Sequence, residues 1–222
     1  MILSYSTHKK WSFSTSGIKI LSTQSTVAYR DLVQGFQGQN DRLVCIDDKY
    51  EPQDISKTFD FGGDLLLSGD VTKKYLLTIG KTYLANIDED NRNQIMAAFQ
   101  NLEITIENSL LLEDLPLAIT WDEDLKKLLK MVELHLDTDR LQVPYGIIET
   151  VLKIHQTCNL KTIPVFCNVA NYLDDQELAE LSQLVQQMGL VLFLIEFTSA
   201  DLLVVPEDAE FYYIDRDLVD WY

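Results

Sequence analysis

An amphipathic segment followed at once by a near-continuous apolar run constrains the fold more than any other sequence feature. Residues 174–188 carry apolar side chains at helical spacing, and Gly189 stands where glycine is favoured past a helix end. Residues 190–195 (LVLFLI) are typical of a strand buried on both faces, and residues 162–167 form another strand before the helix. Strand, helix and strand in this order predict a right-handed parallel crossover, and hence an α/β fold.

The first third of the chain also indicates strand, helix and strand. Residues 18–21 form an apolar run, a helix is predicted from Thr26 to about Gly38, and residues 43–46 form a second strand. Between the first strand and the helix lies the position of a phosphate-binding loop, which needs glycines and a lysine to reach phosphates. Residues 22–26 (STQST) have neither, so nucleotide hydrolysis is not expected.

The middle of the chain is predicted to be all-helical. The apolar periodicity indicates helices over about 71–87, 91–113 and 121–136, and Pro144 can open a fourth helix that ends near Cys158. These helices interrupt the α/β pattern. We therefore expect an α/β head in two parts, residues 1–68 and 160–222, split by an inserted helical leg, residues 69–159.

The charge distribution is uneven along the chain. The net charge of −17 taken alone argues against nucleic-acid binding, because phosphates are bound by Lys and Arg. After Lys161 the only Lys or Arg is Arg216, whereas six lysines lie in the middle third: Lys73, Lys74, Lys81, Lys126, Lys127 and Lys130. Two interpretations stay open, a solvated helical surface and a protein with one basic face.

Several classes of protein do not fit the sequence. The longest apolar stretch, residues 190–195, is far shorter than the roughly 20 residues of a membrane span. The first residues lack the pattern of a signal peptide, so a cytoplasmic location is expected. The three cysteines form no C-x-x-C pair and the three histidines are scattered, which is not a zinc pattern.

Acidic residues cluster at two places where a metal ion is one interpretation. Asp47 and Asp48 end the strand at residues 43–46, as in the magnesium sites of nucleotide hydrolases, although two solvated carboxylates also explain them. Asp122, Glu123 and Asp124 open the third predicted helix. A capping box of Thr120 with Glu123 explains this cluster structurally, and calcium, which takes six to eight oxygens, explains it functionally.

Asp137 and Asp139 lie at the far end of the same predicted helix. A helix of that length spans about 22 Å. These two carboxylates could therefore share an ion with Asp122 only if the chain folds back or a second subunit contributes.

The whole layout resembles a known family. The resemblance rests on residues 16–21 (SGIKIL) with the following helix, Trp121–Glu123, residues 162–168 (TIPVFCN) with 173–178 (LDDQEL), and residues 190–196 (LVLFLIE). In order and spacing these segments resemble the accessory protein of type II-A CRISPR systems that takes part in spacer acquisition. The resemblance covers nearly the whole chain, and none of its segments is a catalytic signature.

This resemblance implies a P-loop-ATPase-like head without the phosphate-binding motif, and a leg made of the inserted helices. It further implies a non-catalytic homotetrameric ring, stabilised by calcium, whose basic inner surface takes up double-stranded DNA ends. The implied partners are the adaptation integrase and the RNA-guided nuclease of the same CRISPR system.

The resemblance also suggests site residues. Asp122 and Glu123 fall where the family has acidic calcium ligands, and Asp137 and Asp139 flank a further such position. The expected calcium ligands are therefore Asp122, Glu123, Asp124, Asp137 and Asp139. Arg30 matches a basic position of the family, and clustering selects the lysines, so that the expected DNA-binding residues are Lys126, Lys127, Lys130, Lys73, Lys74, Lys81 and Arg30.

Two alternatives to this function remain at the level of sequence. One is an enzyme, a divergent nucleotide hydrolase or metal-dependent nuclease that uses Asp47 and Asp48. The other is an acidic scaffold that binds only proteins.

Overall fold

The structure is a computed structural model that describes residues 1–120, 124–137 and 139–221, with residues 139 and 140 described by their backbone alone. The chain forms two compact units. Unit 1 comprises Met1–Lys73 and Asp137–Tyr222, and unit 2 comprises Lys74–Leu136.

The elements follow the chain in this order. The first part of unit 1 contains β1 (Ile2–Tyr5), β2 (Trp11–Ser12), β3 (Gly17–Thr23), α1 (Thr26–Phe36), β4 (Leu43–Ile46), β5 (Pro52–Gln53), α2 (Ile55–Thr58) and β6 (Phe59–Asp64). Unit 2 contains α3 (Leu76–Asn86), α4 (Glu89–Leu110) and α5 (Leu125–Met131). The second part of unit 1 contains α6 (Pro144–Thr157), β7 (Ile163–Cys167), α7 (Asp175–Gln187), β8 (Val191–Glu196), β9 (Glu210–Ile214) and β10 (Asp220–Trp221). Short 3₁₀ turns occur at Lys73–Tyr75, Asp139–Gln142, Val169–Asn171 and Ala200–Leu202.

Unit 1 is a mixed α/β unit with a mostly parallel main sheet. Its six strands run in the order β10-β9-β3-β8-β7-β6, and only β10 pairs antiparallel to its neighbour. The predicted crossover is present, since β7, α7 and β8 follow one another and β7 pairs parallel with β8. The strand predicted at residues 43–46 is present as β4, but it is not part of the main sheet. It belongs to the antiparallel sheet β2-β1-β4-β5.

Burial explains why the apolar runs of the sequence became the central strands. Every residue of β3 and β7 is buried, and β8 is buried from Leu192 onward. Helix α7 begins with a capping box in which the Asp174 and Glu177 side chains accept each other's backbone N–H groups. Its buried residues include Leu178, Leu181 and Val185, which continue the core.

The second boundary of the helical insertion lies earlier than the sequence indicated. Helix α6, which the sequence predicts as part of the inserted leg, belongs to unit 1. Its Ile148, Val151 and Leu152 side chains have no exposed surface, because this face of the helix takes part in a core.

Within unit 2 the third predicted helix is shorter than its periodicity suggested. Asp124 is the N-cap of α5, and the helix ends at Met131, just before Glu133 takes a positive φ of 50°. Helix α4 has 22 residues and none of them is buried. None of the helices in the described ranges is long and apolar enough to cross a membrane.

Candidate nucleic-acid interface

Four of the predicted lysines line one groove in unit 2. Lys81 comes from α3, whereas Lys126, Lys127 and Lys130 come from α5, and the groove has a volume of about 490 Å³. Its remaining lining residues are mainly apolar: Leu76, Leu77, Gly80, Leu84, Leu129 and Leu134, with the acidic Asp124 and Glu133. Helix α5 carries three lysines and no carboxylate within its own span. The fold therefore gathers positive charge at a single place in an acidic chain. This groove is called the lysine groove below.

The lysine side chains of this groove are solvent-exposed. Lys126 and Lys130 are four residues apart on α5 and share a face, as the sequence predicted. Across residues 1–120, 124–137 and 139–221, Lys81, Lys126 and Lys130 form no ion pair. Their charges are therefore available to an external anion.

The other predicted DNA-binding residues do not line the lysine groove. Lys73 and Arg30 belong to unit 1, and the Arg30 guanidinium lies 3.5 Å from the carboxylate of its neighbour Asp31. Lys74 lies in unit 2, where its ammonium group sits 5.0 Å from the centre of the Tyr75 ring. A contribution of these three residues to DNA binding stays a prediction.

The predicted calcium ligands are only partly described. Asp122 and Glu123 lie outside the described residues, and the side chain of Asp139 does too. Asp124 Oδ1 accepts the backbone N–H of Lys126 at 2.9 Å, and Asp137 belongs to unit 1. The described residues contain no group of three His, Cys, Asp or Glu side chains that could hold a metal ion. The side chains available therefore do not by themselves form a calcium site.

The loop after β3 uses its polar groups within the fold. The Ser22 hydroxyl donates to the carbonyl of Thr198 at 2.7 Å, and Thr23 Oγ1 accepts the backbone N–H of Ser25 at 3.0 Å. Ser25 caps α1, since its Oγ accepts the N–H of Ala28. The loop thus has neither the glycines nor the lysine of a phosphate cradle, and these three hydroxyl groups already have partners.

A polar cluster lies at the carboxyl ends of the parallel strands. Glu196 ends β8 with 2% of its surface exposed, and its carboxylate accepts the Val169 N–H at 2.9 Å. Asp64, at the end of β6, accepts a hydrogen bond from the Tyr172 hydroxyl at 2.9 Å. Burial raises the pKa of Glu196 to about 8, the backbone N–H groups of Ala170 and Val169 oppose this rise, and the charge of Asp64 adds to it.

Asp47 and Asp48 do not belong to this cluster. They follow β4 in the antiparallel sheet, not a strand of the parallel one. The Asp47 carboxylate accepts backbone N–H groups of Lys49 and Glu51, and the first cause of its lowered pKa is the bond from Glu51. Asp48 Oδ1 pairs with the N-terminal ammonium group at 2.6 Å. These contacts favour a structural role for both carboxylates, in and beside the turn after β4, over a role in metal binding.

Comparison with known proteins identifies the family. The model of the family described as "CRISPR-associated protein (Cas_Csn2)" matches residues 38–218, which is most of the chain. The chain belongs to the Cas_Csn2 family. This confirms the resemblance found in the sequence and gives the protein a CRISPR-associated role.

A solved structure supports the fold of this Cas_Csn2 member. The crystal structure of Stu0660 of Streptococcus thermophilus matches with a TM-score of 0.59, at 11% identity, over 100% of this chain and 76% of that chain. At this identity the match shows a shared fold alone. No curated protein matches the sequence.

Sequence reasoning missed two features of the site. The first is the polar cluster of Asp64 and Glu196 at the carboxyl ends of the parallel strands. Strand β6, which carries Asp64, was not predicted, although a charged Glu196 at the end of an apolar run was a signal for that edge of the sheet. The second is Arg92, near the start of α4, which lines a cavity with two of the predicted lysines. Its position in an acidic first turn gave no such signal.

Proposed function

We propose that this chain binds double-stranded DNA ends without reading their sequence and without catalysis, as a calcium-stabilised homotetrameric ring in CRISPR spacer acquisition. The observation that carries the proposal is the convergence of Lys81 with the three lysines of α5 on the lysine groove. Ammonium groups bind backbone phosphates as point charges, which gives affinity without base readout. Membership of the Cas_Csn2 family supports the CRISPR setting.

The head is proposed to be a P-loop-ATPase-like scaffold that does not bind nucleotide. The parallel strands run in the order β9-β3-β8-β7-β6, and α1 follows β3 after the loop in which a phosphate-binding motif would stand. The hydroxyl groups of Ser22, Thr23 and Ser25 take part in internal hydrogen bonds. Such a scaffold would position the leg and would leave DNA binding to lysines.

The ring is proposed because unit 2 leaves apolar surface uncovered. No residue of α4 is buried, and its Leu102 and Ile104 side chains are 43% and 54% exposed. A helix with such side chains gains stability when another surface covers them. A ring also reconciles DNA binding with the net charge of −17, because lysines can face the duplex while carboxylates face outward.

Calcium is proposed as the ion that stabilises this assembly. Asp122, Glu123 and Asp124, with Asp137 and Asp139, would supply the carboxylate oxygens that this hard cation prefers. Support comes from their clustering in the sequence and from the family resemblance. The adaptation integrase and the RNA-guided nuclease of the same system are the proposed protein partners.

Binding to linear and closed circular duplexes of equal length and sequence tests the proposal. Fluorescence titrations with calcium or with a chelator should show tight binding of the linear duplex only with calcium. The circular duplex should bind far more weakly, because it has no end that could enter the protein ring.

Two outcomes would contradict the proposal. Equal affinity for circles and linear ends would exclude threading of an end through a ring. An absence of linear-duplex binding with calcium present would favour the acidic scaffold that binds only proteins.

A further inference from the structure

A second cavity of unit 2 brings cations from three helices together. It has a volume of about 340 Å³ and is lined by Lys81 of α3, Arg92 of α4 and Lys126 of α5, along with Leu84, Ala85, Asp124 and Leu125. Sequence separation hides this arrangement, because Lys81 and Lys126 are 45 positions apart in the chain (126 − 81). The cavity shares Lys81 and Lys126 with the lysine groove.

Among the described residues, the three cations of this cavity take part in no ion pair. Lys81, Arg92 and Lys126 are all exposed. Of the described residues that line the cavity, Asp124 is the one carboxylate, and its Oδ1 accepts the Lys126 backbone N–H at 2.9 Å as the cap of α5. Like charges that converge around a cavity repel one another, and a bound anion relieves that repulsion.

We infer that this cavity binds a phosphate group of the DNA, with Arg92 as its principal contact. The cavity is called the phosphate pocket below. The inference rests on the proposed DNA binding and adds a residue and a ligand group to it. A guanidinium presents a planar fork of N–H donors that binds two phosphate oxygens at once, whereas Lys81 and Lys126 supply point charges from the other two helices.

Arg92→Gln tests the pocket, and Arg216→Gln is its matched control. Arg216 is also an exposed arginine, but it lies in unit 1 beside the loop after β3. Titration of a blunt linear duplex at several salt concentrations should show about tenfold weaker binding by R92Q. The slope of log affinity against log salt should become shallower by about 0.9, the value for one lost phosphate contact. R216Q should match the wild type.

Two further arms identify how the phosphate is held and where it lies. Arg92→Lys keeps the charge and loses the fork, so it should restore the salt slope while recovering only part of the affinity. Duplexes with 5′-phosphate and 5′-hydroxyl ends separate the two sources of phosphate. An equal loss in R92Q for both assigns a backbone phosphate, and a loss confined to phosphorylated ends assigns the terminal one.

Failure of the pocket can be told apart from failure of the proposed function. If the wild type binds duplex DNA and R92Q binds it with the same affinity and the same salt slope, the phosphate pocket is rejected while the proposed DNA binding is retained. An equal loss in R92Q and R216Q also overturns it, because the effect would then be one of net charge.

If the wild type binds no duplex, the proposed function fails, and inorganic phosphate then serves as the probe. Broadening of the phosphate ³¹P signal by wild type but not by R92Q would retain the pocket as an anion site, and equal broadening would reject it. Circular dichroism and thermal melting should match the wild type in every variant, since both arginines are exposed.

Discussion

At the scale of single residues, Glu196 is a buried carboxyl group whose pKa departs from its ordinary value. Its carboxylate is buried behind the turn at Val169 and Ala170, and burial raises its pKa to about 8. The folded-state pKa therefore lies above the ordinary value of 4.5 for a glutamate. The stability gained from its neutral form is fully present below the unfolded pKa and is lost as the pH rises through the folded one.

Replacement of Glu196 by glutamine should remove this pH dependence. The amide oxygen of E196Q can still accept the Val169 N–H, but the side chain never ionises. The difference between the two unfolding free energies (E196Q minus wild type) should increase from pH 5 to pH 8.5 by on the order of 1–3 kcal/mol, because only the wild type loses stability over this range. Thermal or urea unfolding at the two pH values measures this difference.

Glu207→Gln provides the control for that experiment, because Glu207 is exposed. Its difference from wild type should stay nearly constant over the same range. A constant difference for E196Q as well would show that the buried carboxyl does not titrate between these pH values.

At the scale of elements, α5 carries the charge that the proposed function needs. Its seven residues include Lys126, Lys127 and Lys130, and they line the lysine groove. Substitution of all three by glutamate should abolish duplex binding and leave the assembly intact. The loss of three phosphate contacts alone would make the slope of log affinity against log salt shallower by about 3. The three introduced carboxylates would in addition repel the phosphates.

A matched variant changes the same net charge elsewhere. Lys49, Lys57 and Lys161 are exposed lysines of unit 1, so their joint substitution by glutamate should weaken binding only slightly. Anisotropy titrations with one linear duplex compare the two variants. Wild-type affinity in the α5 variant, or an equal loss in both, would place the DNA-binding surface elsewhere.

Elements differed in how well the sequence predicted them, for physical reasons. Helix α7 was placed almost to the residue, because its capping box and the following glycine mark both ends. Strand β6 was missed because Gly62 and Gly63 interrupt its apolar pattern. Gly62 is required there, since a Cβ would collide with the Phe166 ring of β7, and Gly63 has a φ of 71° at the shift in register.

The site followed the same rule. Spacing alone placed Lys126 and Lys130 on one helix face, and the structure agrees. The approach of Lys81 and Arg92 to that face depends on how three helices pack, which no local pattern encodes. The predicted end of the third helix, near Leu136, was wrong. Helix α5 ends at Met131, so that Asp137 lies outside any helix.

At the scale of the whole molecule, the exposed helix α4 makes assembly the central question. An amphipathic helix that buries none of its 22 residues is far from the condition in which such helices are stable. The proposed homotetramer would cover it. We therefore expect light scattering at micromolar concentration, with calcium, to give a mass near four times the 25.5 kDa of one chain.

Leu102→Glu tests whether α4 lies in that assembly. Leu102 is 43% exposed in the single chain, so a charge there costs the fold little, but burying the charge in an interface would cost several kcal/mol. L102E should therefore lower the mass toward that of a monomer or dimer. Leu112→Glu is the control, because Leu112 lies beyond the end of α4 and is 87% exposed. A tetramer that persists in L102E would place the interface away from this face of α4, and a monomeric wild type would reject the ring.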